Sequence, residues 1–416
     1  MHSARPPLLF LTTQLPWPPY RGGVAVSWRL LEYLSGHFEL SLGCLLKGDD
    51  AQHEAALRAR LPLADYFSVP CNRPRSAGLL LQSYLRGQPL NVLRNASPAF
   101  QAEVQARLSR HPLVLADHYE MMAYLLDASD SRIVYHAHNA EYLMWERYAA
   151  QTGNLLRKLP VWLESRRIRS YERQICRRAA QVLAFPNDAA VLQAVSGLDA
   201  EQFTAVLPCG EEEALAEPAP AWEDTKPMLL YVGTLSWEAN IDGLCWMLEQ
   251  CWPALKAAHP DLEFRIIGSQ PDARLQAAAA AQAGVFLEGF VEDLGPYYRQ
   301  ARVFAAPLRF GSGIKLKVLN TLYRGLPVVT TAVGAEGMPL EAGRELYVAG
   351  DAAGFIRACS RLLEDRAAWE RMRDASRSFA AAHLRNAVQL ERIREAILRA
   401  AGLASPPAPP LGRGGN

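Results

Sequence analysis

Residues 309–325 read RFGSGIKLKVLNTLYRG and place two lysines where a helix should begin. Gly311, Ser312 and Gly313 form a turn signal. Ile314, Val318, Leu319, Leu322 and Tyr323 then recur at helical spacing, which predicts a helix over 314–324 with these residues on its buried face. Lys315 and Lys317 fall in its first turn. A helix start is already partly positive, so cations there oppose the macrodipole. They become favourable once an anion binds, because the same end offers free N–H groups. Lys317, Asn320 and Arg324 share a second face. Spacing alone fits a solvated cap equally well. The preceding strand, VFAAPL, tips the reading toward anion binding, because open parallel sheets bind ligands beyond the carboxyl ends of their strands.

A second set of reactive side chains is made of histidines. His118 lies in LADHYE, and His136 and His138 lie in VYHAHNAE. A lone histidine at a strand end is usually structural. Two strand-end loops, each pairing histidine with an acid (Glu120, Glu141), suggest a site. Gly22 and Gly23, in PPYRGGVAVSW, let backbone approach a ligand closely.

Positioning these groups requires parallel sheets. Apolar runs alternate with helical patterns from LLFLTT near the N-terminus to PVVTT near residue 330, as in α/β folds with helices on both sheet faces. The stretch 208–227, PCGEEEALAEPAPAWEDTKP, lacks periodicity and reads as a linker. The expected organisation is a Rossmann-like domain over 1–207, a linker over 208–227 and a second Rossmann-like domain over 228–385. A helix at 386–402 and a disordered Pro/Gly tail at 403–416 complete it.

The 416 residues carry 44 basic and 43 acidic side chains, a balance with no argument for a nucleic-acid partner. Seven scattered cysteines without a C-x-x-C pair argue against disulfides and zinc, and fit a reducing cytoplasm. No run approaches the roughly 18 apolar residues of a membrane span, and LLFLTT is too short for a signal sequence.

The segment PLRFGSGIKLKVLNTLYRGLPVVTTAVGAEGM resembles the donor-binding segment of family 4 glycosyltransferases of the GT-B fold. PWPPYRGGVAVSWRLLEYL, HNAEYLMWERYA, YVGTLSWEANIDGLCWML and FLEGFVEDLGPYYRQARVFAAPL resemble other parts of that family, in order, over roughly residues 8–390. The resemblance implies two Rossmann-like domains facing each other across a cleft. It implies retaining transfer of a sugar from a nucleotide-diphosphate donor to a glycan or lipid-linked acceptor, in cell-surface or exopolysaccharide biosynthesis. No cofactor and no metal are implied, and the chain contains no D-x-D. Donor contacts would fall at Gly22, Gly23, Thr234, Asn240, Phe290, Val291, Gly311, Ser312, Gly313, Ile314, Asn320 and Glu336. Lys315 and Lys317 would stabilise the departing diphosphate, and His118, with His138 second, would orient sugar or acceptor. The final helix would cross back to the first domain.

The chain departs from that family in two places. Relatives commonly carry two glutamates spaced E-x7-E, the first near the donor sugar and the second on the ribose; here Ser312 and Asn320 stand there. Relatives also place Arg and Lys on the diphosphate where this chain has Thr234 and Asn240, which moves the cationic burden to Lys315 and Lys317. Asn320 leaves three readings open: a working enzyme with weaker ribose contacts, an altered donor, or an inactive relative. The coherence of the surrounding residues favours the first. The rivals in function are a nucleotide-sugar epimerase of the same fold and a non-catalytic sugar-nucleotide or glycan binder. A nicotinamide oxidoreductase is disfavoured because no G-x-G-x-x-G follows a predicted strand.

Residues 157–178, RKLPVWLESRRIRSYERQICRR, hold eight basic and two acidic residues. Such a helix suits either a solvated face or peripheral contact with anionic lipid, which sets the expected location as cytoplasmic, with a peripheral position on the inner membrane face as the variant.

Overall fold

The computed structural model describes residues 5–20, 22–128, 131–151 and 155–403. The tail expected to be disordered lies, from residue 404 on, outside them, as does the side chain of Arg157.

Among the described residues, thirteen strands form two sheets, each wholly parallel. The first contains β1 (Pro7–Thr12), β2 (Glu39–Leu46), β3 (Asp65–Pro70), β4 (Leu113–Asp117), β5 (Arg132–His136), β6 (Gln181–Ala184) and β7 (Phe203–Ala205) in the order β3-β2-β1-β4-β5-β6-β7. The second contains β8 (Met228–Val232), β9 (Glu263–Ile267), β10 (Val285–Gly289), β11 (Val303–Ala306), β12 (Val328–Thr330) and β13 (Tyr347–Val348) in the order β10-β9-β8-β11-β12-β13. The strands are short and nearly all apolar because helices cover both faces.

In both sheets the strand order reverses beside the first strand, between β1 and β4 and between β8 and β11. Loops diverge at such a switch point and open a crevice at the carboxyl ends of the strands. β4 ends at Asp117, directly before His118, and β11 leads into the turn 311–313. The two sets of residues singled out by their chemistry therefore occupy matching crevices of two Rossmann-like domains.

The helix predicted over 314–324 runs from Leu316 to Arg324. Gly313 has φ +73° and Lys315 is extended, so Ile314 and Lys315 belong to the turn, not to the helix. Lys315 Nζ folds back onto the carbonyls of Ser312, at 2.8 Å, and Gly313, which holds the turn open. The linker contains two short 3-10 turns, Glu212–Ala216 and Trp222–Asp224, and lies against helix Leu316–Arg324.

Helix Asn386–Ala400 packs on the first domain. Ile393, Ala396 and Ile397 share a buried cluster with Leu8, Phe10 and Trp28, and Tyr33 Oη donates to Glu391 at 2.5 Å. The seven cysteines are unpaired, and no described helix is long and apolar enough to cross a membrane.

Candidate functional site

A cleft of about 950 Å³ runs between the two domains. Gly22 and Gly23 form one wall, at the start of helix Gly22–Ser35. Gly22 faces Leu316 across the cleft closely enough that a Cβ would sit 3.2 Å from Leu316 Cδ1. A side chain at Gly23 would meet His118 Nε2 at 3.8 Å. These two glycines therefore set how closely the second domain and the histidine loop approach the first helix.

The opposite wall carries the lysines. Lys317 Nζ donates to Tyr231 Oη at 2.6 Å and to Asn240 Oδ1 at 2.7 Å. Asn240 in turn donates to the Thr234 carbonyl at 2.8 Å. Thr234 and Asn240 thus do not replace missing cations; Asn240 aims one. Burial, with Lys315 adding repulsion, pushes Lys317 down to about 7. Burial also pushes Lys315 down to about 8, against the pull of Glu336 and Asp188. Ser312 lines the same wall, and its Oγ is buried without a hydrogen-bond partner. Two desolvated ammonium groups, an unpartnered hydroxyl and a helix start together make a cradle for an anion.

Gly311, Ile314 and Asn320 border this cradle. Gly313 lies behind it, where a Cβ would collide with Asn139 Oδ1 at 2.2 Å. Phe290 and Val291 line the cleft with Leu294 and Tyr298. Phe290 packs edge-on against Tyr20 of the first domain, with ring centroids 5.6 Å apart.

Glu336, His118 and His138 do not line the main cleft. Glu336 is held by Arg147 through two 2.7 Å hydrogen bonds, and the same guanidinium donates to the Gly311 carbonyl at 2.7 Å. Arg147 sits on helix Glu141–Gln151 of the first domain, so this clamp ties the turn at Gly311 of the second domain to the first.

The histidines converge on Asp117, which is fully buried. His136 Nδ1 and His138 Nε2 each lie 2.7 Å from Asp117 Oδ1. Ser27 Oγ donates to Oδ2 at 2.5 Å, and His118 Nδ1 lies 3.3 Å from Oδ2, in ion-pair reach but poorly aligned. Burial opposes the charge on Asp117, yet the imidazoles outweigh it and hold the carboxyl well below its usual range. Burial opposes charge on His118 too, but Asp117 raises its pKa. His138, stacked on His118 at 3.8 Å, is driven down to about 3 by burial and by that neighbour. His118 is the one histidine of the pair poised to carry charge. It adopts φ +80°, a conformation costing about 1–3 kcal/mol for a non-glycine residue, which turns its ring toward Gly23.

Asp117, His136 and His138 also offer ligand-type atoms within 4.8 Å of one another. Both ring nitrogens already contact one carboxylate oxygen, closer than the roughly 3.3 Å between ligands of a tetrahedral ion with bonds near 2.0 Å.

The HNAE loop is fixed from beneath. Glu172 accepts from the N–H groups of Glu141 at 2.8 Å and Tyr142 at 3.0 Å, and Asp188 accepts from Ala140 N–H at 2.9 Å. Burial raises Glu141 to about 7 and Asp188 to about 6. Asp117, Arg147, Asp188 and Tyr231 are no part of the site that the residue pattern predicts. Asp117 had a visible signal, an acid closing an otherwise apolar strand; the others depend on which helices meet.

The fold is GT-B: two Rossmann-like domains facing each other across a cleft. HepE from Anabaena, solved with UDP-glucose, superimposes with a TM-score of 0.67 at 15% identity, over 94% of this chain and 99% of that one. Sucrose-phosphate synthase from Thermosynechococcus elongatus gives 0.72 at 16% identity, over 96% and 100%. Residues 226–365 match the family model Glycosyl transferases group 1. An uncharacterized 44.6 kDa protein in the cps region of Klebsiella pneumoniae is 29% identical over 136 residues, which is 31% of this chain and 35% of that protein.

Proposed function

We propose that this protein is a retaining, metal-independent glycosyltransferase. It moves a hexose-type sugar from a nucleotide-diphosphate donor to a glycan or lipid-linked acceptor, in cell-surface or exopolysaccharide synthesis. The observation that carries this reading is the pair of desolvated lysines, Lys315 and Lys317, beside the unpartnered Ser312 hydroxyl at a helix start. Buried cations without a full counter-charge are costly, and a diphosphate supplies that charge. The group 1 match over 226–365 covers this same segment. The Anabaena neighbour binds UDP-glucose, and the Klebsiella relative is named for a cps region.

In this reading the glycosidic bond breaks while charge grows on the outer phosphate. Preorganised donors facing that charge are worth about 10²–10³ in rate apiece. The departing phosphate takes the acceptor proton, so His118 orients instead of acting as base. Thermal-shift screening against UDP-, GDP-, dTDP- and ADP-sugars tests the proposal, because a ligand that binds the native state stabilises it by mass action. A selective shift, with transfer in the presence of acceptor extracts, supports it. Absence of any shift counts against it, and conversion of the donor without acceptor would indicate an epimerase instead.

We also propose a peripheral membrane contact on the first domain. Helix Ala77–Arg86 exposes Leu81 and Leu85, and the neighbouring helix Leu155–Arg178 exposes Leu159 and Trp162. Tyr84 joins them: its hydroxyl donates to the Pro160 carbonyl at 3.5 Å, and Arg167 stacks on its ring at 4.0 Å. The two acids of this basic segment, Glu164 and Glu172, are buried and engaged, while Lys158, Arg166, Arg169, Arg173 and Arg177 are exposed, so the exposed charges described for it are all cationic. An apolar ridge flanked by arginines suits an anionic bilayer surface.

A further inference from the structure

The carboxylate absent from position 320 has a neighbour. Gly210 presses the linker onto helix Leu316–Arg324 so closely that a Cβ would sit 2.2 Å from Leu319 and 2.8 Å from Asn320 Oδ1. The next residue, Glu211, is then paired reciprocally with Asn320. Its N–H donates to Asn320 Oδ1 at 3.1 Å, and Asn320 Nδ2 donates to its Oε1 at 2.9 Å. Arg324 binds the other oxygen of Glu211. About a third of the Glu211 side chain stays exposed, at 35%, and it opens into the cleft.

The position of this carboxylate is telling. Asn320 stands one helical turn beyond Lys317, at the anion end of the cleft. Arg324, about one turn further along the helix, lies at 4.5 Å over the ring of Tyr298, which lines the cleft. Glu211 bridges Asn320 and Arg324, so it sits between the group that would hold phosphate and the surface that would hold a base. A ligand spanning both places its pentose there. Each Glu211 oxygen accepts one described side-chain bond and keeps a second acceptor site. A carboxylate so placed repels phosphate and attracts hydroxyl donors, and two oxygens side by side match the two O–H groups of a vicinal diol.

We propose that Glu211 of the interdomain linker holds the ribose diol of the donor in place of a carboxylate at position 320, and so selects ribonucleoside diphosphate sugars over 2′-deoxy ones. Asn320 becomes a positioning residue for Glu211. The inference rests on the nucleotide-sugar reading above and narrows its donor class by disfavouring dTDP-sugars.

Calorimetry on the full chain tests it with UDP, GDP and ADP, their 2′-deoxy counterparts dUDP, dGDP and dADP, and dTDP. At least one ribonucleotide should bind, with its deoxy counterpart about tenfold or more weaker, as expected for loss of a charge-assisted hydrogen bond. Glu211→Gln should bring the ribonucleotide to within about twofold of the deoxy form, while the melting temperature reports that the fold persists. Glu211→Gln combined with Asn320→Glu should restore part of the preference, which a merely structural linker contact would not. Equal ribo and deoxy affinities in the wild type, tight binding of dTDP, or a preference that survives Glu211→Gln would each overturn this inference and leave the nucleotide-sugar reading standing. Binding of none of these nucleotides would overturn both.

Discussion

Arg147 of the first domain and Glu336 of the second meet through two parallel 2.7 Å hydrogen bonds. Arg147 also holds the Gly311 carbonyl, so one side chain of the first domain grips both the loop after β12 and the lysine-bearing turn. Bidentate pairing of this kind fixes geometry as well as energy. Arg147→Ala should therefore leave donor affinity within about threefold and lower transfer about tenfold or more, because the walls no longer register. Single-turnover kinetics beside calorimetry checks this; a loss confined to donor affinity would place Arg147 on the donor and not between domains.

Lys317 should make donor binding depend on pH. Burial holds its pKa at about 7 and that of Lys315 at about 8, and a diphosphate would raise both. Binding then takes up protons above about pH 7, and affinity falls as pH rises from there through the values of both lysines. The same shift has a sign in stability. The unfolded chain keeps its protons longer than the folded one, so these lysines make stability rise from about pH 7 toward the ordinary lysine range. Calorimetry in buffers of different ionisation heat measures the uptake. Lys317→Ala should reduce it, weaken nucleotide binding and abolish measurable transfer; near-normal turnover in that variant would refute the role.

His118→Ala should spare donor binding and reduce transfer, because its ring faces Gly23 and not the cradle of Lys315 and Lys317. Unchanged transfer would move the role to His138.

Asp117→Asn should cost more than loss of His118. It removes the charge on which three imidazoles and Ser27 converge, and breaking a buried ionic cluster costs about 3–5 kcal/mol. With its pKa held down, Asp117 contributes stability above the usual carboxylate range and loses it as pH falls through the folded value. Urea titrations of wild type and variant at pH 7 should show the gap; a difference under about 1 kcal/mol would mean the imidazoles do not depend on this charge.

Liposome flotation should recover the protein with vesicles rich in anionic lipid and not with neutral ones. Leu81→Glu combined with Leu85→Glu should abolish recovery, since both residues project from the exposed ridge. Equal flotation by this variant would dissociate the ridge from lipid binding.

Two parallel sheets and a helix start bearing lysines were legible from local pattern. Apolar runs of strand length alternating with helical spacing have few other solutions, and a glycine turn before Lys315 and Lys317 is a signal contained within a few residues. The exact helix start was not legible, because Ile314 continues the apolar period although Gly313 and the extended Lys315 keep it in the turn.

Asn320 shows the division most clearly. In one dimension it is a position where the family resemblance implies a carboxylate and the chain has none. In three dimensions Glu211, more than a hundred residues earlier, returns a carboxylate to its side. Likewise Arg147 with Glu336, and Lys317 with Tyr231, are partners across long separations. Sequence alone determined the elements and the cationic helix start, because periodicity, turn chemistry and end charge act over a few residues. Tertiary structure decided which charges are buried, which side chains are aimed and where the substitute carboxylate lies. Desolvation and hydrogen-bond direction arise only when distant segments are packed together.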